Sequence, residues 1–240
     1  MTAGPLEPLP PDFAATRAGL HRLAEEVVKV AREHATCEFS LIATPGGFGT
    51  PAFGPNQAQV RVDGGDLVVK VGDEERREAI TSLRAAGELA AGLLPEGLDL
   101  DDEPLGVRPE AALALGRWYA FGEDVLERLR ADARAGDEPS AVTLWPEHLD
   151  IAIEMGPEGE GRRANYGLSP GDEAHDEPYL YVGPWTARPS GELWKAQGFP
   201  GAELSYAELA GADDQLAAAL DFCRRRKEAL DAITEPERGA

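Results

Sequence analysis

The chain has 240 residues, of which 44 are acidic and 23 are basic, so its formal net charge is −21. Clustered Lys and Arg residues supply most of the affinity of a protein for nucleic acid, and anionic membranes also repel an acidic chain, so we expect neither as a partner. No apolar stretch is long enough to span a bilayer, and residues 1–12 read as an irregular lead-in without the features of a signal peptide. Only Cys37 and Cys223 are present, which predicts free thiols and a cytoplasmic protein.

Residues 13–94 have the pattern of a first lobe that combines helices with a hairpin. Two stretches carry apolar residues at helical spacing, and two short strands flank a turn that contains Gly64 and Gly65, which is a good hairpin signal. The predicted elements are a helix (13–34), a strand (37–44), a hairpin (57–72) and a second helix (80–94).

Residues 95–108 are acidic and without periodicity, so they predict a linker. Pro109 then opens a long helix that continues to about residue 134, with Leu115 and Trp118 on a broad apolar stripe that predicts burial. Further elements complete a second lobe: strands near 141–145, 148–155, 162–169 and 179–185, and a closing helix (213–233). The sequence thus predicts an α+β fold of antiparallel strand meanders with packed helices, in which two lobes, 13–94 and 109–240, are joined by the long central helix.

Residues 148–155, HLDIAIEM, alternate between apolar and polar side chains, as a half-buried strand does. Pairing this strand with residues 162–169, with Glu154 opposite Arg163, separates all apolar side chains from all polar ones. We therefore predict this register, with a Glu154–Arg163 ion pair on the polar face.

The polar face of this hairpin has two interpretations. It carries His148 and Asp150, and Gly167 and Ser169 on the partner strand leave space beside them. A solvated sheet face explains the charges without any function. In the functional interpretation His148 is a general base or metal ligand, and Asp150 orients it or shares the metal.

The loop after the hairpin, residues 170–178, adds more groups of this kind. If it folds back, Asp172 and His175 join His148 and Asp150, and we predict that His148, Asp150 and Asp172 gather at one concave spot. Imidazole and carboxylate groups suit a divalent metal, which makes His148, Asp150 and His175 the candidate metal ligands. A loop this acidic can equally be a solvated segment.

Several aromatic residues could line a small-molecule pocket together with polar neighbours. The candidate ligand-binding residues are Trp145, Ser169, Asp172, Tyr179 and Trp185. Aromatic side chains on strands also serve as ordinary core residues, and the sequence favours that interpretation.

Three short motifs succeed one another in the C-terminal half: LWPEHLD, then LSPGDE, then EPYLYVGPW. Their order and spacing resemble an uncharacterised bacterial family described as a domain of unknown function, over about residues 142–206. The resemblance implies no activity. It does imply that seven residues belong to one local unit: Trp145, His148, Asp150, Ser169, Asp172, Tyr179 and Trp185.

The sequence therefore favours a soluble, cytoplasmic, non-catalytic protein that has a pocket or an interaction surface. The alternative is a metal- or acid/base-assisted enzyme centred on His148 and Asp150. The sequence identifies no cofactor, although it offers candidate ligands for a divalent metal, and a small molecule or another protein could be the partner.

Overall fold

The computed structural model describes residues 4–233 and has the predicted α+β fold, with two antiparallel sheets, packed helices and one long central helix. Its contacts divide the chain into two units, each built from separate stretches. Residues 7–120 and 143–150 form what we call the N-terminal unit. Residues 4–6, 121–142 and 151–233 belong to the C-terminal unit.

The helices are α1 (Phe13–Leu23), α2 (Lys29–Thr36), α3 (Leu83–Leu89), α4 (Pro109–Ala131), α5 (Tyr206–Ala210) and α6 (Gln215–Asp231). A π-helical turn (Ala24–Val28) connects α1 to α2, so the predicted helix over residues 13–34 is confirmed. The short α5 was not predicted. Within the described residues no helix has both the length and the apolar character needed to cross a bilayer.

The sheet of the N-terminal unit is a meander in chain order: β1 (Ile42–Thr44), β2 (Gly47–Gly49), β3 (Gln59–Asp63), β4 (Asp66–Val71) and β5 (Glu74–Ala79). The predicted hairpin is confirmed, with Asp63 opposite Asp66 and Gly64 at φ 62°, a left-handed conformation that favours glycine. Neither β2 nor β5 was predicted. A further short strand, β6 (Thr143–Trp145), also belongs to this unit, where Leu144 bridges to Leu41.

Helix α4 runs through both units, and its first part lies in the N-terminal one. Leu115 and Trp118 are fully buried, as their place on the apolar stripe predicts. Gly116 permits a close approach to the β1–β2 turn, because a Cβ atom there would lie 2.6 Å from the backbone of Gly46. Apolar burial and a glycine contact thus hold this half of the helix on its own sheet.

In the C-terminal unit the strands follow the order β10-β9-β8-β7 within one antiparallel sheet. They are β7 (Asp150–Met155), β8 (Ala164–Ser169), β9 (Tyr179–Pro184) and β10 (Ala202–Ser205). The first residue of β7, Asp150, is itself part of the N-terminal unit. Only β10 was not predicted, because it comes after a long irregular segment.

The predicted register of the β7–β8 hairpin is wrong by two residues. Glu154 pairs with Asn165, and Ile151 pairs with Leu168, so Arg163 lies outside the ladder. The connection is longer than the pattern suggested and contains a 3-10 turn (Glu158–Glu160). A shift of two keeps every side chain on its predicted face, so the Glu154–Arg163 ion pair still forms, with 3.3 Å between the charged groups.

The polar face of this hairpin is not solvated as expected. Ala152, Gly167 and Ser169 are all buried. Tyr181 on β9 fills the space predicted beside Gly167, where an added Cβ atom would lie 2.5 Å from the tyrosine ring. The glycine therefore accommodates a neighbouring aromatic ring of the same sheet.

Candidate functional site

Two aromatic and two polar side chains share one face of the C-terminal sheet where β9 begins. Tyr179 is paired with Ser205, and Tyr181 with Glu203. Cross-strand partners and residues two apart lie on the same face, so these four side chains are grouped by the strand geometry alone. Successive side chains of β9 lie on opposite faces of the sheet, so Leu180 lies on the other, buried face.

The loop before β9 is shaped around the carboxylate of Asp172. One oxygen, Oδ1, accepts hydrogen bonds from the backbone N–H of Ala174 at 2.7 Å and of His175 at 2.9 Å. The other oxygen accepts the Tyr179 hydroxyl at 2.8 Å. Such a carboxylate-capped turn is typical of Asp with small and polar residues after it. It fixes the start of β9 to the loop.

The charge of Asp172 is stabilised by these contacts. Partial burial on its own raises the pKa of this carboxyl, but the hydrogen bonds from Tyr179, His175 and Ala174 outweigh burial and lower the pKa below its ordinary value. Asp172 therefore remains ionised under all conditions near neutrality.

The His175 imidazole lies between two carboxylates. Its Nδ1 atom is 3.1 Å from Asp172 Oδ1, and its Nε2 atom is 3.5 Å from Glu203 Oε2. The second distance suits an ion pair when the ring is protonated. Glu203 Oε2 is nevertheless buried without a hydrogen-bond partner in the part of the chain that the structure describes. The ring also packs against Tyr179, with 4.6 Å between the ring centroids. His175 thus connects the loop to β10.

A cleft of about 600 Å³ opens beside this cluster within the C-terminal unit. The residues that line it come from the loop, from the irregular segment before β10, from β10 with the first turn of α5, and from α6. They are His175, Asp176, Glu177, Pro178, Tyr179, Glu192, Leu193, Lys195, Gln197, Glu203, Ser205, Glu208 and Arg226. Carboxylates outnumber cations among them, and Lys195 is already paired with Glu192.

Arg226 on α6 is the second cation of the cleft. Its guanidinium lies over the Phe222 ring, 3.7 Å from the centroid, and Nη1 donates to the Phe222 carbonyl at 3.1 Å. The buried Nε atom has no hydrogen-bond partner among the described residues. Burial, and then the neighbouring charge of Arg225, lowers the pKa of Arg226 from its ordinary value. This guanidinium is held by one aromatic face and one carbonyl.

Three of the residues predicted for a site meet here: Asp172, His175 and Tyr179. Ser169 is buried nearby in sequence and accepts the Gly171 N–H at 3.2 Å, which closes the turn after β8. Trp185 is partly exposed at the other end of β9, where its indole N–H donates to Asn165 at 2.7 Å. Ser169 and Trp185 do not line the cleft.

The remaining candidates lie in the N-terminal unit. His148 is exposed in the turn before β7 and is not part of that strand, which corrects the strand start predicted at this residue. Asp150 is buried as the first residue of β7, and Trp145 on β6 has its ring 6.1 Å from that of Phe39. The predicted gathering of His148 and Asp150 with Asp172 joins residues of two units and stays a prediction.

Sequence reasoning missed Glu203 and Arg226. Glu203 comes after a stretch without periodicity, and the only local signal is the alternation of Ala202–Ser205, which is too short to stand out. Arg226 belongs to a basic run that, read from the sequence, has a favourable place in the second half of the closing helix, so nothing distinguishes this residue from its neighbours. Neither residue is marked by a motif.

Metal binding gains no geometric support. Within residues 4–233, no three or more His, Cys, Asp or Glu side chains are arranged to hold a metal ion. Cys223 offers no reactive thiolate, since burial raises its pKa to about 12.

Comparison with protein families, curated proteins and solved structures gave no match. The resemblance to the bacterial domain of unknown function therefore stays a prediction. Any function assigned to the chain rests on the geometry of the cleft.

Proposed function

We propose that this protein binds a small polar molecule in the C-terminal cleft without changing it chemically. The observation that carries the proposal is a cleft of about 600 Å³ lined by Glu203 and Arg226. Each has a buried polar atom without a hydrogen-bond partner among residues 4–233. Ligand sites in proteins usually occupy roughly 300–1,000 Å³ and combine apolar walls with a few convergent polar groups. Tyr179, Pro178 and Leu193 supply such walls here.

The surroundings of His175 favour binding over catalysis. A general base needs a ring nitrogen within hydrogen-bond reach of a substrate proton. Here Nδ1 faces Asp172 and Nε2 faces Glu203, so carboxylates of the protein occupy both directions. We therefore assign His175 a structural role in holding the loop against β10.

An enzyme centred on His148 and Asp150 is the alternative that the sequence raised. Among residues 4–233, no specific contact of the exposed His148 favours it, so binding in the cleft is the function proposed. We further propose a cytoplasmic location, because Cys37 and Cys223 are both free thiols. The net charge of −21 supports a small molecule over nucleic acid as the partner.

The test is a ligand screen on the full-length, ¹⁵N-labelled protein with small polar compounds that span cations, anions, zwitterions and neutral molecules. We expect at least one compound to shift amide resonances at residues 175–179 and 202–208. The substitution Gln197→Trp, at an exposed rim position of the cleft, should abolish these shifts.

The matched control is Glu158→Trp, which adds the same ring to an exposed turn away from the cleft lining and should leave binding unchanged. Binding that maps to other residues would contradict the proposal. A screen in which no compound shifts the cleft resonances would also contradict it.

A further inference from the structure

We propose that the cleft recognises a zwitterion, a small molecule that carries both an amino group and an anionic group, as amino acids do. This inference rests on the function proposed above and adds the chemical class of the ligand. It starts from two side chains of opposite charge, Glu203 on β10 and Arg226 on α6, which both line the cleft.

Neither charge is fully satisfied within the described part of the chain. Glu203 Oε2 is buried without a hydrogen bond, and its nearest cation is the His175 ring at 3.5 Å, which is charged only when protonated. Arg226 forms no ion pair with any described carboxylate, and its Nε atom is buried and unpaired. Buried polar groups are normally paired, so two such atoms in the lining of one cleft indicate missing partners.

The other charged groups of the cleft are either paired within the protein or exposed to solvent. Lys195 pairs with Glu192 at the surface. Glu208 accepts hydrogen bonds from the backbone N–H and the hydroxyl of Ser205, which together cap α5. Asp176 and Glu177 are exposed to solvent, which satisfies their carboxylates. Glu203 and Arg226 are therefore the charged residues of the lining that have a buried atom without a hydrogen-bond partner among the described residues.

Four classes of ligand differ in how well their charges match Glu203 and Arg226. An anion suits Arg226 but faces repulsion from Glu203 and its acidic neighbours. A cation suits Glu203 but faces Arg226, and a neutral polar molecule offers no charge to either. A zwitterion pairs its ammonium with Glu203 and its carboxylate with Arg226, and these charge-assisted hydrogen bonds are the stronger kind.

The unpaired atoms are covered by protein in the unliganded cleft. A ligand therefore first meets the accessible remainder of each side chain, and a rotamer change of Glu203 or Arg226 brings the buried atom to it. Arg226 can move without losing a salt bridge among the described residues, since only the Phe222 ring and carbonyl hold it. The planar guanidinium then presents two N–H groups to one carboxylate.

The experiment compares five compounds of four carbon atoms each with the full-length protein, by calorimetry and by NMR mapping. They are γ-aminobutyrate, its isomer α-aminobutyrate, putrescine, succinate and butanediol. The two aminobutyrates share all atoms and charges but differ in the spacing of their groups. We expect one of them to bind at least about tenfold more tightly than the other three compounds, as loss of one charge-assisted hydrogen bond predicts.

Two substitutions separate the contributions of the charges. Glu203→Gln should weaken binding of the preferred aminobutyrate and of putrescine but not of succinate, whereas Arg226→Gln should weaken the aminobutyrate and succinate but not putrescine. The controls Arg225→Gln and Glu228→Gln neutralise exposed positions of α6 outside the cleft lining and should change no affinity. The comparison among the five compounds uses only the unsubstituted chain, so it tests the proposal even if a variant does not fold.

Tighter binding of putrescine, succinate or butanediol in the cleft would overturn the zwitterion assignment while supporting the proposed binding function. Absence of binding by all five compounds would overturn the zwitterion assignment too. The broader screen then decides the proposed function separately, so the two failures are distinguishable.

Discussion

Tyr119 stabilises an unusual backbone conformation in the N-terminal unit. Leu149 has a φ of 52°, in the left-handed region that a residue with a branched side chain rarely adopts. Its side chain is fully buried, and its carbonyl accepts the hydroxyl of the buried Tyr119 at 2.6 Å. Burial, reinforced by the negative charge of Asp150, raises the pKa of Tyr119 well above its ordinary value, so the hydroxyl remains a donor. Burial of one side chain and one hydrogen bond together maintain the turn.

We predict that Tyr119→Phe destabilises the protein by about 1–3 kcal/mol, because it leaves a buried carbonyl without its donor. Chemical denaturation monitored by circular dichroism measures this difference in the free energy of unfolding. The control is Tyr179→Phe, whose hydroxyl bonds a partly exposed carboxylate and should contribute less. Equal effects of the two substitutions would show that the Leu149 carbonyl finds another partner.

The lowered pKa of Asp172 gives a prediction about pH. Burial raises this pKa, but the Tyr179 hydroxyl and the groups of His175 and Ala174 lower it further than burial raises it. The folded pKa lies below that of the unfolded chain, ~3.9 for Asp, so the stabilising contribution is present above that pH and is lost as the pH falls through the folded value.

Tyr179→Phe should therefore raise the pKa of Asp172 toward its ordinary value, measured from the ¹³C shift of the side-chain carboxyl during a pH titration. Asp172→Asn should reduce the loss of stability in acid. An unchanged Asp172 titration in Tyr179→Phe would show that the His175 ring and the backbone N–H groups hold the carboxylate ionised without the hydroxyl.

The residues of the cleft differ in how far apart they lie along the chain, and this decides which of them the sequence could predict. Asp172, His175 and Tyr179 stand close together along the chain, so a local motif predicts their proximity. Glu203 and Arg226 reach the same place through strand pairing and helix packing, which involve residues distant in sequence. A binding site that is formed by such contacts leaves no motif in any short stretch of the sequence.

In the β7–β8 hairpin, the face on which each side chain lies and the register of the two strands depend on different features of the sequence. The alternation of polar and apolar residues determines which side chains share a face, and that part of the prediction is confirmed. The register also depends on the length of the connection, and a shift of two residues leaves the alternation unchanged. Only the turn, with its left-handed Gly156 and Gly161, determines the true pairing.

The unpredicted elements have physical reasons of their own. All six residues of β5 are exposed, and five of them are charged, so no apolar face marks this edge strand in the sequence. Charges on an edge strand oppose pairing with another chain. Helix α5 did carry a signal, the capping box of Ser205 and Glu208, but its five residues are too few for helical periodicity to be visible.

Helix α6 is anchored by a buried ion pair. Lys227 Nζ lies 2.9 Å from Asp137 and 2.8 Å from Asp231, and the Lys227 and Asp137 side chains expose only 13% and 7% of their surface. Asp137 also accepts the Arg134 N–H at 2.6 Å, so it links the helix to the segment after α4. Charge pairing and a backbone contact together hold this segment on α6.

We predict that Lys227→Met destabilises the protein by about 3–5 kcal/mol, because Asp137 is left buried without its cation. Adding Asp137→Asn to this variant should restore much of the loss, since it removes the unpaired charge. Arg225→Met, which removes an exposed cation of the same helix, should change the free energy of unfolding by less than about 1 kcal/mol. Urea denaturation of the unsubstituted chain and these three variants tests this, and equal losses for Lys227→Met and Arg225→Met would contradict it.

At the scale of the whole molecule, the sequence predicted the α+β class correctly because helical and strand periodicities are local and strong. The structure adds that each unit is assembled from separate stretches of chain, with α4 contributing to both. No linker composition or charge run marks such an arrangement, since it arises from contacts between distant segments. The class of fold was therefore predictable from periodicity, whereas the assembly of each unit was not.

The net charge of −21 predicts how stability depends on salt. Unpaired carboxylates repel one another more strongly in the compact state than in the unfolded chain, which destabilises folding. Surface ion pairs such as Arg128–Asp124 and Arg130–Glu127 act in the opposite direction, but each contributes only about 0–1 kcal/mol. With 44 acidic and 23 basic residues, repulsion should exceed attraction.

We therefore expect the Tm to rise when the ionic strength increases from ~10 mM to ~150 mM, as the Debye length shortens from about 30 Å to about 8 Å. Scanning calorimetry in sodium chloride and in tetramethylammonium chloride measures this. Equal increases of the Tm in the two salts would show that general screening causes the effect, since binding of a particular cation would give different increases. A Tm that falls with salt would mean that the ion pairs outweigh the repulsion.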